Sequence, residues 1–84
     1  MMAERKASDI LMSLQNAQLE VWKCNDAICV DYYGADVIAG PVLRRVFGKG
    51  GSFEAACYDY LEQIRGKTLV FCDGETRKEI TVLG

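Results

Sequence analysis

The side chains with the widest chemical repertoire in this 84-residue sequence are four cysteines, Cys24, Cys29, Cys57 and Cys72. A thiol can ligate a metal, attack a carbonyl or close a disulfide. The gaps between them are four, 27 and 14 residues, an irregular series rather than the CxxC-type pairs from which structural zinc sites are built. Nucleophilic use needs a base, and the chain has no histidine. The same lack removes Ser-His triads, HExxH zinc sites and imidazole acid–base steps. The carboxylates Glu54, Asp59 and Glu62 fall on helix positions that read as solvent-facing charge rather than an acid–base pair. These residues predict four reduced thiols, no catalytic residue, no metal ligand and no cofactor.

Two further groups point to binding. The run Gly48-Lys49-Gly50-Gly51-Ser52 enters a helix, where free N–H groups can hold phosphate, but it lacks the spacing of a Walker loop or of GxGxxG. Glu54 just inside the helix would repel an anion, so the run reads as a loop whose glycines let the chain reverse from strand to helix while Ser52 caps the helix. Residues 1–40 carry three basic and six acidic side chains, net −3, and residues 41–84 carry seven and six, net +1. Arg44, Arg45, Lys49 and Lys67 form the candidate anion or nucleic-acid patch within that second half. Tyr33 and Tyr58 point away from the apolar faces, and as exposed rigid rings they are the candidate subunit contacts.

Elements that must position these groups follow from periodicity. Ala3, Ala7, Ile10, Leu11, Leu14 and Ala17 make one face of a helix from Ala3 to about Ala17, with Asn16 as its stop and Met12 exposed. Leu19–Cys24 and Ile28–Tyr33 read as a hairpin. A two-residue loop would oppose Glu20 to Asp31, so a three-residue loop, Asn25-Asp26-Ala27, is expected, with Trp22, Cys24, Ile28, Val30 and Tyr32 on one face. Val37–Phe47 reads as an edge strand with Pro41 at a bulge or at its start, a short helix from Pro41 being the alternative. Phe53, Ala56, Cys57, Tyr60, Leu61 and Ile64 then fit a second helix, capped by Ser52 and stopped at Gly66. Lys67–Cys72 and Lys78–Leu83 are two final strands around Asp73-Gly74.

The expected fold is therefore α+β: one domain over residues 1–84, order α-β-β-β-α-β-β, an antiparallel sheet with both helices on one face. Its expected core is Ile10, Leu11, Leu14, Trp22, Ile28, Val30, Phe53, Cys57, Leu61, Ile64, Leu69 and Phe71. Ten basic against twelve acidic residues exclude the strongly basic surface of a dedicated nucleic-acid binder. No apolar run approaches the roughly 20 residues of a membrane span, and no signal-peptide pattern follows the start. A reducing, cytoplasmic compartment and no membrane partner are the expectation. So small a domain buries little of its chain, and an uncovered sheet face or edge points to a homodimer.

Gly50 to Phe71, GGSFEAACYDYLEQIRGKTLVF, and then Arg77-Lys78-Glu79-Ile80-Thr81-Val82, resemble small proteins encoded by bacterial phages and prophages. Their pattern is similar to G-x-S/T-F-E-E-A-C-x-D-Y-L-x-K-I-R-G-K-T-L-V-F followed by R-K-E-I-x-V. Ala55 replaces the usual second glutamate and Gln63 the usual lysine. The resemblance implies a fold and a bacterial host but no activity. Strands leading through G-x-S/T-F-E-x-A into a helix also look like the HicB-type antitoxin domain, although that family begins with a strand. The α-β-β-β-α order resembles the double-stranded RNA-binding domain, but Ser52-Phe53-Glu54-Ala55 stands where that family places lysines. The expectation is a non-enzymatic interaction protein of a phage or mobile element, working as a homodimer or on a phage or host protein. The alternative is a nucleic-acid-associated or antitoxin-like factor using the Arg44, Arg45, Lys49, Lys67 patch.

Overall fold

A computed structural model of the chain describes residues 6–14, 17–73 and 76–82. Helix α1 (Ala7–Met12) precedes strands β1 (Leu19–Cys24), β2 (Ala27–Tyr32), β3 (Ala35–Ala39), β4 (Val42–Arg44) and β5 (Gly48–Gly50). Helix α2 (Phe53–Ile64) and strands β6 (Thr68–Asp73) and β7 (Thr76–Thr81) complete the order. The strands form two antiparallel sheets, β1-β2-β5 and β4-β3-β6-β7. The fold is a two-layer α+β arrangement. The first helix is shorter than its apolar pattern suggests, ending at Ser13, whose hydroxyl turns back to the Ile10 carbonyl at 2.7 Å. The expected start at Ala3 and stop at Asn16 lie outside the described residues.

Asn25 decides the first hairpin. It sits at φ 58°, and Cys24 pairs directly with Ala27, so the loop has two residues and not the three expected. Two-residue hairpins require positive φ, which asparagine tolerates, and their twist matches the strands. In consequence Glu20 does oppose Asp31, and Trp22 opposes Cys29. A one-residue change of register exchanges the two faces of a strand. Trp22 accordingly leaves the expected core and stays 38% exposed, while Leu19, Val21 and Lys23 align with Tyr32, Val30 and Ile28.

Between β2 and α2 the chain makes three strands where one was expected. Gly40, at φ 64°, turns the chain with Pro41, so Ala39 pairs with Val42 and the stretch becomes a hairpin rather than a single edge strand. The returning chain follows the outgoing one, with Val37 opposite Arg44 and, further on, Val30 opposite Gly48. Between those two pairs one side uses residues 31–36 and the other only 45–47, so the path kinks and the sheet divides there.

The glycines at 48 and 50 belong to a strand and not to the expected loop. A Cβ built on Gly48 would lie 2.1 Å from the Ala56 carbonyl oxygen, and one on Gly50 would lie 2.7 Å from the Ala55 Cβ. The bare backbone of β5 lies directly on α2, which a side chain would prevent. The outer edge of β5 is closed by the same helix: Asp59 accepts from the Lys49 N–H at 2.9 Å, and Gln63 Nε2 donates to the Phe47 carbonyl at 2.7 Å.

The core joins both helices to one face of the two sheets through Leu11, Val30, Tyr32, Val37, Tyr60, Leu61, Ile64 and Leu69. Each large aliphatic buried there contributes about 1.5–3 kcal/mol. Ile10, Leu14, Ile28 and Phe71 pack at its margin, whereas Phe53, expected inside, is 37% exposed. Tyr32 and Tyr60 place polar ends in this core and satisfy them: Tyr32 donates its hydroxyl to the Leu11 carbonyl at 2.6 Å, and the Tyr60 hydroxyl accepts the Tyr32 N–H at 3.1 Å. The second bond replaces a ladder partner that β2 loses at the kink. Ser52 caps α2 by accepting from the Ala55 N–H at 3.1 Å, and Gly66 follows its end at φ 76°, both as expected.

Candidate functional site

Alternate residues of the strands face away from the helices, and three of them are nevertheless buried: Cys29, Asp31 and Val70. Cys29 lies between Trp22 on the flanking strand β1 and the chain that enters β5 on the other side. Trp22 on β1 stands opposite it on one side and Lys49 on β5 on the other. The Phe47 ring, two residues before Lys49, meets the Trp22 ring at 5.9 Å, so the two close over β2. Burial and the neighbouring Cys24 thiol push the Cys29 thiol up, which suppresses the thiolate. The four cysteines are free thiols in this structure, Cys29 and Cys57 buried, Cys24 and Cys72 exposed. Burial in the helix-side core holds Cys57 at about 11.

Beside this aromatic cover, at the kink, Asp36 and Asp31 both act on the Arg45 guanidinium, and Glu20 stands opposite Asp31. Arg45 Nε donates to Asp36 Oδ1 at 3.0 Å. Asp31 is 5% exposed, and its Oδ1 is buried with no hydrogen-bond partner. Glu20 faces it from β1. Burial raises the Asp31 carboxyl above its usual range, Glu20 adds to the rise, and Arg45 opposes it. A buried acceptor without a donor costs about 1–3 kcal/mol, and more when charged. Asp31 is therefore the most strained polar group among the described residues in this sense.

The expected patch is split: Arg44 and Lys67 come together in one groove, and Arg45 and Lys49 lie elsewhere. Neighbours on a strand point to opposite faces. Arg44 pairs with Val37 on the helix side and shares a groove of about 230 Å³ with Lys67, Gln63, Val37, Ala39 and Val46. Arg45 turns to the other face and is held by Asp36. Lys49 also lies on that face, beyond Cys29. Tyr33, at the end of β2, and Tyr58, on α2, are 66% and 60% exposed.

Two residues read as solvated charge have specific work. Glu54 accepts from the Ser8 N–H at 3.0 Å and from the Ser8 hydroxyl at 2.5 Å, and so caps the start of α1 from the start of α2. Those bonds hold the Glu54 carboxyl below its ordinary range. Asp59 seals the β5 edge. Only the spacing of Asp59 and Gln63, one helical turn apart, hinted at a shared target.

A second, apolar cleft of about 450 Å³ lies between α1, α2 and the end of β7, lined by Ile10, Leu14, Leu61, Ile64 and Val82, with Arg65 at its rim. Among the described residues no group of three or more cysteine, aspartate or glutamate side chains could hold a metal ion. No described helix is long and apolar enough to cross a membrane. Comparison with protein-family models, with curated proteins and with solved structures finds no match in any of the three.

Proposed function

We propose that this chain is a small interaction module working without catalysis, of the kind phages and mobile elements encode, and acting as a homodimer in the cytoplasm of a bacterial host. The observation that carries the reading is strand β1. It is the outermost strand of its sheet, six residues long, and its last four residues are exposed. Val21 and Trp22 lie within it, 53% and 38% exposed. An edge of that length with large apolar side chains is a template for another strand, and natural monomers shorten, charge or cover such edges. A second copy can pair with it antiparallel about a twofold axis. Exposed Tyr33 and Tyr58 add contact area elsewhere on the surface.

Light scattering over a concentration series tests the proposal. A mass near twice the 9.3 kDa of the chain is expected at micromolar concentration, falling toward one chain on dilution. Val21→Glu should leave far-UV circular dichroism unchanged and give the single-chain mass throughout. A parent chain that stays at 9.3 kDa overturns the proposal.

The second reading, a nucleic-acid-associated factor, rests on the convergence of Arg44 and Lys67 on one groove. It predicts binding to DNA or RNA that falls steeply between low and physiological salt. Binding unaffected by Arg44→Ala with Lys67→Ala sinks it.

A further inference from the structure

We infer that the helix-free face carries a binding site for an arginine side chain of a partner protein, formed by Glu20 and Asp31 beside the rings of Trp22 and Phe47. The inference deepens the reading of the chain as an interaction module and rests on it.

Charge at the kink does not balance. Arg45 is committed to Asp36 at 3.0 Å, and no other ion pair among the described residues reaches Glu20 or Asp31. Two carboxylates directly opposite on neighbouring strands repel each other, and one of them is nineteen-twentieths buried with an oxygen that no donor reaches. Arg45 acts on Asp31 through space but makes no hydrogen bond to it, so the arrangement has one cation for three carboxylates and lacks a second. Lys49 is a strand further away, on the far side of Cys29 from Trp22.

The chemistry of the surroundings selects the kind of cation. A metal ion needs more carboxylate or thiolate ligands than gather here, since no described cluster has three. Trp22 lies two positions from Glu20 on the same face of β1; the residue stays 38% exposed, and its ring meets that of Phe47, itself 46% exposed. Ring faces beside carboxylates suit a guanidinium: it stacks flat on an indole while its fork of N–H groups engages carboxylates. An ammonium is a point charge without the planar fork, so arginine is favoured over lysine. Asp31 supplies negative charge from a poorly solvated position, where it acts more strongly than a second surface carboxylate would. Glu20, at the rim, supplies the accessible oxygens. Because the site is on the face of the sheet, it leaves the backbone edge of β1 free for a second copy.

The probe is an acetylated, amidated Thr-Val-Arg-Val-Thr pentapeptide, read by the emission of Trp22, the single tryptophan of the chain. A saturable change is expected, and the same peptide with neutral citrulline in place of arginine should bind at least about tenfold more weakly, the loss of a charge-assisted hydrogen bond. Glu20→Gln should weaken the arginine peptide by a similar factor without touching the citrulline peptide. Asp31→Asn should do the same, with unchanged circular dichroism confirming that both variants are folded. Equal binding of the two peptides, or no saturable change with the arginine peptide up to millimolar concentration, overturns the site. A chain that is dimeric yet indifferent to arginine loses this site and keeps the interaction-module reading. A monomeric chain that binds arginine selectively does the reverse for the dimer.

Discussion

Gly48→Ala adds one methyl group at the place where strand and helix backbones touch. The new Cβ would sit 2.1 Å from the Ala56 carbonyl oxygen and 2.5 Å from both the Tyr60 Cβ and the Tyr60 nitrogen. Those atoms belong to the body of α2 and not to a flexible tip, so β5 must retreat. Overpacking of this sort costs about 1–3 kcal/mol. Retreat also stretches the Lys49–Asp59 and Phe47–Gln63 hydrogen bonds, each worth about 1 kcal/mol. The expected loss is about 3–5 kcal/mol, against a total of about 4–12 for a chain of this length. Gly51 provides the control. A Cβ there meets nothing within 4 Å and its φ is not positive, so Gly51→Ala should change stability by less than about 1 kcal/mol, toward greater stability. Urea unfolding followed by circular dichroism and by Trp22 emission measures both. With a slope near 1–1.5 kcal/mol per molar, Gly48→Ala should lower the midpoint by about 2–5 M or leave no native baseline. If the two variants unfold within about 0.5 kcal/mol of each other, the backbone contact between β5 and α2 is wrong, and so is the sealing of the β5 edge.

Two carboxylates should give the stability–pH curve opposing limbs. Asp31, with Glu20 facing it from β1, Arg45 from the segment after β4 and the Tyr60 hydroxyl from α2, has a raised folded pKa. Its contribution is full below the unfolded value of about 3.9 and is lost as pH rises through the raised value. Asp31→Asn should therefore be more stable than the parent at pH 8 and flatten that limb; urea midpoints equal to the parent's across pH 4–8 contradict it. Glu54 is depressed by Ser8, so its contribution is present above about pH 4.3 and disappears as pH falls through the folded value. Glu54→Gln should lower the urea midpoint near pH 7 and remove the acid limb; a midpoint at pH 7 equal to the parent's refutes the cap. Leu61, 3% exposed in the core, should cost about 2–5 kcal/mol on truncation to alanine. Glu62→Ala, whose only described partner is Arg65 at 3.1 Å, should cost less than about 0.5; equal losses in urea melts would show the apolar stripe of α2 misplaced.

Local rules already specify much of this molecule in its sequence. The stripe of α2, its Ser52 cap and its Gly66 stop all depend on residues within a few positions of one another, and each stands as read save Phe53, the first residue of the stripe, which is exposed. The same holds for the bounds of β1, where alternation and a turn signal are both local. The candidate site was not legible in that way. Its two acids were visible as a pair to be avoided, and the three-residue loop was expected for that reason. The tertiary structure accepts the pair because Asn25 favours a two-residue turn and because the resulting register still sends Val30 and Tyr32 to the helices. Trp22 and Phe47 are 25 positions apart, and only the placement of β1 and β5 on either side of β2 brings their rings together over Cys29. The glycines of β5 carry no local sign of their purpose, since a missing side chain is informative only beside the backbone it admits, and that backbone belongs to a helix. Short-range periodicity sets each element and its apolar face; which backbone touches which, and which buried charge goes unpaired, is decided by register and close approach between elements, where a shift of one residue or one methyl group changes the outcome.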